Sequence, residues 1–315
     1  MKHTLPVTVI VVFMFILAQF IGLFAISSYI DPSYDDGLKP LPASIERPDV
    51  EESFTPWLMI IGVFIGTLII LLLVKFKANK AWSIWFGLSM LLLSFIALSA
   101  FMSDLYAFVI AIIFAYLKVT SRNISWMLRN IPELFIYSGL AIIFAPLLNV
   151  WGAVILLLLI SVYDMYAVWQ SKHMVKLAKF QLNSGKFAGF SVAYYASSNS
   201  VEDKKEVKSK VETKKKVSKI MTKDKKENNE INYDSPKKKT AILGGGDVAF
   251  PLLFSSTLLL SSGWLLAIGA TLGATVGLTT LLYLSVKDRF YPAMPFISAG
   301  CFLGVGIFYF VLMPF

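Results

Sequence analysis

Long apolar runs separated by short polar segments dominate this sequence. Nine such runs are present, at about residues 5–30, 57–74, 82–101, 105–117, 132–148, 151–170, 241–260, 263–286 and 291–315. A helix rises about 1.5 Å per residue and the apolar core of a bilayer is about 30 Å thick, so about 20 residues span it. The pattern therefore predicts an all-α membrane protein with nine transmembrane helices.

Composition agrees with this pattern. Hydrophobic residues make up 57% of the 315-residue chain, and its mean hydropathy is +0.68. Soluble domains contain only about 45–50% apolar residues. The excess favours a multi-pass protein whose first partner is the lipid bilayer.

A basic segment between the sixth and seventh runs divides the chain into three parts: 1–170 with six helices, 171–240 as a loop, and 241–315 with three helices. The loop holds 18 Lys and Arg against 8 acidic residues, a net charge of +10, whereas the whole chain carries +9. The basic charge thus belongs to one loop and does not indicate nucleic-acid binding. Residues 171–196 mix lysine with apolar side chains and are expected at the membrane surface. Residues 197–240 are almost free of aromatics and are expected to be disordered.

The short loops predict the orientation of the chain. Lys and Arg follow runs two, four, six and eight, whereas the loops after runs one, three, five and seven are acidic or uncharged. Cytoplasmic loops of membrane proteins are enriched in Lys and Arg. One orientation fits every loop: the N-terminus and the 171–240 loop are cytoplasmic and the C-terminus lies outside.

Two aspartates lie inside apolar runs. Asp164 is in the sixth run, and Asp247 is in the seventh, behind Gly244, Gly245 and Gly246. A charge at membrane depth costs about 2.5–3.5 kcal/mol on insertion scales, so such residues are functional candidates. Each aspartate is eight residues from a loop lysine, or about 12 Å along a helix. Because the two runs are antiparallel, both carboxylates are predicted at one depth.

The remaining candidate groups narrow the chemistry. Every other acid, including Asp104 and Glu133, is expected in a loop or at the end of a span. The only cysteine is Cys301, and His3 and His173 are the only histidines, both at segment ends. Disulfides within the chain, cysteine metal sites and the H-E-x-x-H zinc motif are therefore absent from the sequence. We expect no metal and no cofactor.

Two buried carboxylates beside one water cannot both ionise easily, so the pair is expected to share one proton near neutrality. The ionised acid can then take a proton from water while the protonated acid polarises a peptide carbonyl. Gly244, Gly245 and Gly246 carry no side chains and would let an extended substrate backbone approach closely. This chemistry predicts a two-aspartate peptidase.

Three short motifs carry a family resemblance. Tyr163-Asp164, Gly244-x-Gly246-Asp247 and Pro292-Ala293-Met294-Pro295 resemble the YD, GxGD and PAL motifs of the presenilin and signal peptide peptidase family. The resemblance implies an intramembrane aspartyl protease with Asp164 and Asp247 as catalytic residues. It also implies that the Pro292–Pro295 motif borders the site and helps to hold substrate. Met294 stands where the family has Leu, a residue of similar volume, so we expect tolerance.

The resemblance also bears on substrates and partners. It implies that transmembrane helices or signal peptides are cleaved, and it fits a microbial, archaeal member. The predicted orientation matches presenilin and suggests substrates with an outside N-terminus. We expect activity without accessory subunits, as in signal peptide peptidases, and leave oligomerisation open. The apolar patch 187–195 is a candidate for cleavage during maturation, and the Tyr163 hydroxyl either bonds at the site or leaves its ring to pack.

Two alternative functions remain at this stage. Prepilin and preflagellin peptidases share the GxGD chemistry, although nine spans and the Pro292–Pro295 motif argue against them. An ion channel or transporter would use the two acids as an ion site. The sequence shows no paired inverted breaks that would favour a transporter.

Overall fold

The computed structural model describes residues 5–35, 37–47, 50–51, 54–76, 78–120, 125–171, 187–195, 238–285 and 291–312. Nine α-helices lie in these ranges: α1 Leu5–Ser27, α2 Thr55–Lys75, α3 Asn79–Ser99, α4 Asp104–Thr120, α5 Trp126–Phe144, α6 Val150–Tyr166, α7 Gly245–Ser262, α8 Trp264–Leu284 and α9 Met294–Leu312. There are also two strands, β1 Gly189–Tyr195 and β2 Lys238–Gly244. Short 3-10 helices occupy Pro42–Ser44 and Ala145–Leu147, and a π-helical turn occupies Ala167–Ser171.

Six of these helices are long and apolar enough to cross a membrane: α1, α2, α3, α5, α6 and α8. The apolar part of α9 is shorter, at Met294–Phe310. Helix α4 has only 17 residues, with Asp104 in its first turn and Lys118 in its last. The predicted all-α membrane fold is confirmed, and each of the nine predicted runs corresponds to a helix in the described ranges.

The chain falls into two compact units. One unit consists of Met1–Val192 and Ile242–Phe315 and contains all nine helices. The other unit is Ala193–Ala241, whose described residues are the outer ends of the two strands. Within the first unit, the start of β1 lies beside the end of β2, as in an antiparallel pair, because Gly245 N–H donates to the Ala188 carbonyl at 3.2 Å.

The seventh helix begins later than predicted. The prediction started it at Ala241, but the chain is extended to Gly244, and α7 begins at Gly245. Gly244 is the extended residue that caps α7, and glycine disfavours helix by about 0.8–1 kcal/mol relative to Ala. The helical rise assumed from Lys239 to Asp247 is therefore wrong, since strands rise about 3.3 Å per residue.

The same strand corrects the loop prediction. Residues 238–240 belong to β2, although disorder was predicted up to 240. Residues 189–195 form β1, and their location at the membrane surface stays a prediction. The predictions for 172–186 and for 197–237 fall outside the described residues.

The fifth helix begins earlier than predicted. Helix α5 starts at Trp126, with Ser125 as its N-cap, and Pro132 lies inside it. The run predicted for this helix began at Pro132, whereas the chain is already helical from Trp126. As a result, Glu133 lies within the helix and is fully buried, and its predicted place at a span end is wrong.

Helices α8 and α9 pack through glycines. A Cβ on Gly273 would clash with the Gly300 carbonyl oxygen, and a Cβ on Gly277 with the Phe296 carbonyl oxygen. Small residues let helix backbones approach in membranes, where packing drives association. This contact fixes α9, whose first residue is Met294, against α8.

Candidate active site

Asp164 lies in the last turn of α6 and is 4% exposed. Its Oδ2 atom accepts a hydrogen bond from the backbone N–H of Met294 at 3.1 Å, and the Ala293 N–H also bonds to this carboxylate. Met294 is the first residue of α9. The first N–H groups of a helix have no partner within the helix and favour negative charge, so the start of α9 presents hydrogen-bond donors to the Asp164 carboxylate.

The Pro292–Pro295 motif explains why these two donors are available. Proline has no backbone N–H, so Ala293 and Met294 are the only residues of the motif with backbone donors. Both bond to Asp164. Pro292 and Met294 are buried. The motif therefore lies directly at the predicted site.

A second link joins α6 to α9 one turn away. The hydroxyls of Ser161 and Ser298 are 2.9 Å apart and buried. Ser161 also donates to the Leu157 carbonyl at 2.7 Å. This pair was not predicted, although Ser161 precedes Asp164 by three residues and so lies on the same face of α6.

Asp247 lies in the first turn of α7. The Gly244 N–H hydrogen-bonds to its carboxylate, and Asp164 is close enough for the two carboxylate charges to interact. Asp247 is half-buried. A carboxylate in the first turn of a helix is stabilised by the helix dipole. The two predicted acids thus come together, one at the end of a helix and one at the start.

Helix α1 and strand β1 hold the first turn of α7. Gln19, a buried residue of α1, donates from Nε2 to the Val248 carbonyl at 2.9 Å. The Gly245 N–H donates to the Ala188 carbonyl, just before β1. Both bonds fall within two residues of Asp247. No feature of the sequence marked Gln19 or Ala188 for this part.

The three glycines have different surroundings. A Cβ on Gly245 would lie 3.2 Å from Tyr137 Oη and 3.3 Å from the Ala188 carbonyl oxygen. A Cβ on Gly244 would lie 3.1 Å from Asp247 Oδ2, whereas at Gly246 the nearest atom, in Phe250, would be 3.5 Å away. A Cβ on Gly244 or Gly245 would therefore crowd its neighbours, whereas one on Gly246 would make only ordinary van der Waals contact, and Gly246 is the exposed glycine of the three.

Tyr163 faces α2. Its hydroxyl is 3.1 Å from Thr67 Oγ1, and its ring meets Phe64 edge-on with centroids 5.1 Å apart. Both partners belong to α2. The Tyr163 ring therefore packs against α2, and its hydroxyl bonds to α2. A role for Tyr163 in binding substrate stays a prediction.

A buried ion pair lies near the site and was missed. Lys118 of α4 pairs with Glu133 of α5, and their side chains are 2% and 0% exposed. Tyr137 Oη donates to Glu133 Oε2. The spacing of Glu133 and Tyr137, four residues apart on a helix, was the available signal. Among the described residues, no three His, Cys, Asp or Glu side chains are grouped so as to hold a metal ion.

Comparison with known families decides the identity. A sequence model described as signal-peptide peptidase, presenilin aspartyl protease matches residues 41–313. The chain belongs to this family. It is an intramembrane aspartyl protease and a multi-pass integral membrane protein that acts on transmembrane substrates. Family membership favours this function over both the prepilin peptidase and the channel.

Solved structures share the fold. A presenilin family intramembrane aspartate protease in space group C222 superposes with a TM-score of 0.58 at 17% identity, covering 95% of this chain and 97% of that one. A structure described in the same words, in space group P2, gives 0.52 at 19% identity, covering 96% of each chain. No curated protein sequence matches significantly.

Proposed function

We propose that Asp164 and Asp247 are the catalytic pair of this protease and hydrolyse peptide bonds within transmembrane helices or signal peptides. One observation carries the proposal: the Asp247 carboxylate lies within electrostatic range of Asp164, which accepts N–H groups from the start of α9. Two acids on neighbouring helices can divide the work, because one can take a proton from water while the other donates a proton to the peptide carbonyl.

In the proposed reaction, the ionised acid takes a proton from a water molecule held between the carboxylates. The water oxygen attacks the peptide carbonyl carbon, while the protonated acid donates to the carbonyl oxygen. A tetrahedral diol results. One diol hydroxyl then returns its proton to a carboxylate, the other acid protonates the leaving nitrogen, and the C–N bond breaks. The pair ends with one proton, as it began.

The substrate backbone is proposed to pass between Gly246 and the Pro292–Pro295 motif. The exposure of Gly246, where an added Cβ would crowd no neighbour, supports this path. The motif also supports this path. Its two donors bond to Asp164, so a substrate chain that lies beside the motif is close to the reacting carboxylate. Gly244, Gly245 and Tyr163 are then supporting residues, since their surroundings are filled by the protein itself.

The orientation and organisation of the chain are also proposals. Loop charge supports a cytoplasmic N-terminus and 171–240 loop, with an outside C-terminus. The chain is proposed to consist of two membrane parts, 1–170 and 241–315, that are joined by the basic segment 171–240. Activity is proposed to need no accessory subunit and no cofactor, because both acids and the donors that hold them come from one chain.

The test replaces each acid in purified protein. Asp164→Asn and Asp247→Asn keep nearly the same volume but cannot exchange the proton, so each should lower the cleavage rate by at least about 10³-fold. Asp104→Asn is the matched control, because Asp104 is exposed at the start of α4, and it should keep wild-type activity. Thermal unfolding in detergent verifies folding. Cleavage retained by either variant of the pair would refute the proposed pair.

A further inference from the structure

The Lys118–Glu133 ion pair has no part in the proposed hydrolysis. Both side chains are almost completely buried, and Lys118 Nζ also donates to the Arg129 carbonyl at 3.3 Å. Burying two charges carries a desolvation penalty that well-packed apolar residues would avoid. Charged residues within membrane segments are functional candidates by default.

Tyr137 connects the ion pair to the site. It lies one turn after Glu133 on α5, is buried, and donates its hydroxyl proton to Glu133 Oε2. The edge of its ring contacts Phe190 of β1, with centroids 5.9 Å apart and planes at 77°. The Glu133 carboxylate therefore fixes the direction of the hydroxyl, and Phe190 fixes the ring.

The other side of Tyr137 faces the turn that carries Asp247. A Cβ on Gly245 would lie 3.2 Å from Tyr137 Oη and 3.3 Å from its Cε1, so Gly245 packs directly on this ring. Asp247 is also close enough for its charge to act on the Tyr137 hydroxyl. Because the hydroxyl proton is donated to Glu133, only the oxygen lone pairs remain on the side of Gly245.

Strand β1 adds a second connection from the same face of α5. Asn130 Nδ2 donates to the Ser191 carbonyl at 2.9 Å, and the Ser191 N–H donates to Asn130 Oδ1 at 3.1 Å. Asn130 and Tyr137 are seven residues apart and so lie on one face of the helix. Since Ala188, just before β1, accepts the Gly245 N–H, α5 restrains the start of α7 both directly and through β1.

We propose that Tyr137 is a positioning residue for Asp247, and that the Lys118–Glu133 ion pair holds the Tyr137 hydroxyl in place. The inference rests on the proposed catalytic role of Asp247. A displacement of about 1 Å between reacting groups can cost about a hundredfold in rate. A buried tyrosine whose hydroxyl is held by Glu133 and whose ring packs against Gly245 keeps the first turn of α7 at a constant distance from Asp164.

The first test is Tyr137→Phe, which keeps the ring against Phe190 and removes only the hydroxyl. We expect kcat to fall roughly ten- to hundredfold, with KM unchanged, because substrate contacts are unaffected. Tyr29→Phe is the matched control. Tyr29 is also buried, and its hydroxyl donates to the Ile96 carbonyl at 3.1 Å, so the control loses a comparable bond and should keep wild-type kcat.

The second test separates positioning from stability. The double variants Lys118→Met/Glu133→Gln and Lys118→Met/Glu133→Leu both remove the ion pair and leave no buried charge. Only the glutamine variant keeps a side-chain oxygen that can accept the Tyr137 hydroxyl. We expect it to retain most of the wild-type kcat, while the leucine variant falls to the level of Tyr137→Phe. Combined with Tyr137→Phe, the two double variants should become equal.

Two outcomes would overturn the inference: wild-type kcat in Tyr137→Phe, or equal kcat in the two double variants that retain Tyr137. Asp247→Asn is measured in parallel. If that variant still cleaves, the proposed catalytic pair fails, whatever Tyr137→Phe does. If Asp247→Asn is inactive and Tyr137→Phe is fully active, only the positioning inference fails.

Discussion

Asp164 and Asp247 are held by different kinds of structure. Asp164 lies in the last turn of a continuous helix, and its carboxylate accepts two N–H groups from one short motif. Asp247 lies in the first turn of a helix that begins only after a strand, and its turn is fixed by groups from α1, α5 and the residue before β1. Disturbing one helix contact should therefore displace the partners of Asp164. Several separate contacts hold Asp247, so disturbing one of them should displace it less.

Apart from replacing the aspartates themselves, the largest effect is expected where α9 packs on α8, because α9 supplies the N–H donors to Asp164. A Cβ in Gly300→Ala would clash with the Gly273 carbonyl oxygen, which is backbone and cannot rotate away. Overpacking of this kind costs about 1–3 kcal/mol. We expect a lower melting temperature together with a loss of cleavage of about a hundredfold, since Met294 would move relative to Asp164.

Gly306→Ala in the same helix is the matched control. Nothing lies within 4 Å of a Cβ at Gly306, and alanine favours helix over glycine by about 0.8–1 kcal/mol. This variant should therefore match or exceed the wild-type melting temperature. If Gly300→Ala behaves like Gly306→Ala in both measurements, the close contact between α8 and α9 does not position Asp164.

A smaller effect is expected at the turn before Asp247. A Cβ in Gly245→Ala would lie 3.2–3.3 Å from Tyr137 and from the Ala188 carbonyl oxygen, so its neighbours must shift by a few tenths of an ångström. We expect kcat to fall about tenfold, because a full 1 Å displacement costs about a hundredfold. Cleavage kinetics in the Tyr137→Phe background check the cause: without the hydroxyl, the added methyl group should cost less. An equal loss in both backgrounds would assign the effect to the Ala188 side.

Much of the Asp164 half could be predicted from the sequence. Its helix is an uninterrupted apolar run, so the position of Asp164 near the C-terminal end of α6 follows from counting residues. The Asp247 half could not be predicted in the same way, because the apolar stretch at 241–243 is too short for periodicity to separate strand from helix. The beginning of α5 was also misplaced. The predicted run began at Pro132, which lies inside the helix.

Contacts between distant residues were also beyond the sequence. Gln19 and the Val248 carbonyl that it binds are 229 positions apart, and Lys118 and Glu133 belong to different helices. Hydrophobic patterning determines which face of a helix is buried, but it does not pair one buried polar group with another. Such pairs follow from the tertiary packing, and the bond from Gln19 is one that holds the first turn of α7.

Gly246→Ala tests the proposed substrate path and should have little effect on folding. The added methyl group has room, with the nearest atom 3.5 Å away, and alanine favours the helix by up to about 1 kcal/mol. We expect an unchanged or higher melting temperature and a KM raised severalfold, because the methyl group would occupy space that the substrate backbone needs. A wild-type KM would mean that substrate does not pass beside Gly246.

The smallest effect is expected for Ser298→Ala, which removes the side-chain link between α6 and α9. Ser161 keeps its bond to the Leu157 carbonyl, so the variant leaves no buried hydroxyl unpaired. Hydrogen bonds between membrane helices average about 0.6 kcal/mol, and a double-mutant cycle with Ser161→Ala, read from melting temperatures, should give a coupling of this size. Activity should fall only slightly, because the Ala293 and Met294 N–H groups still bond to Asp164. A loss of cleavage as large as that of Gly300→Ala would instead assign the positioning of α9 to the serine pair.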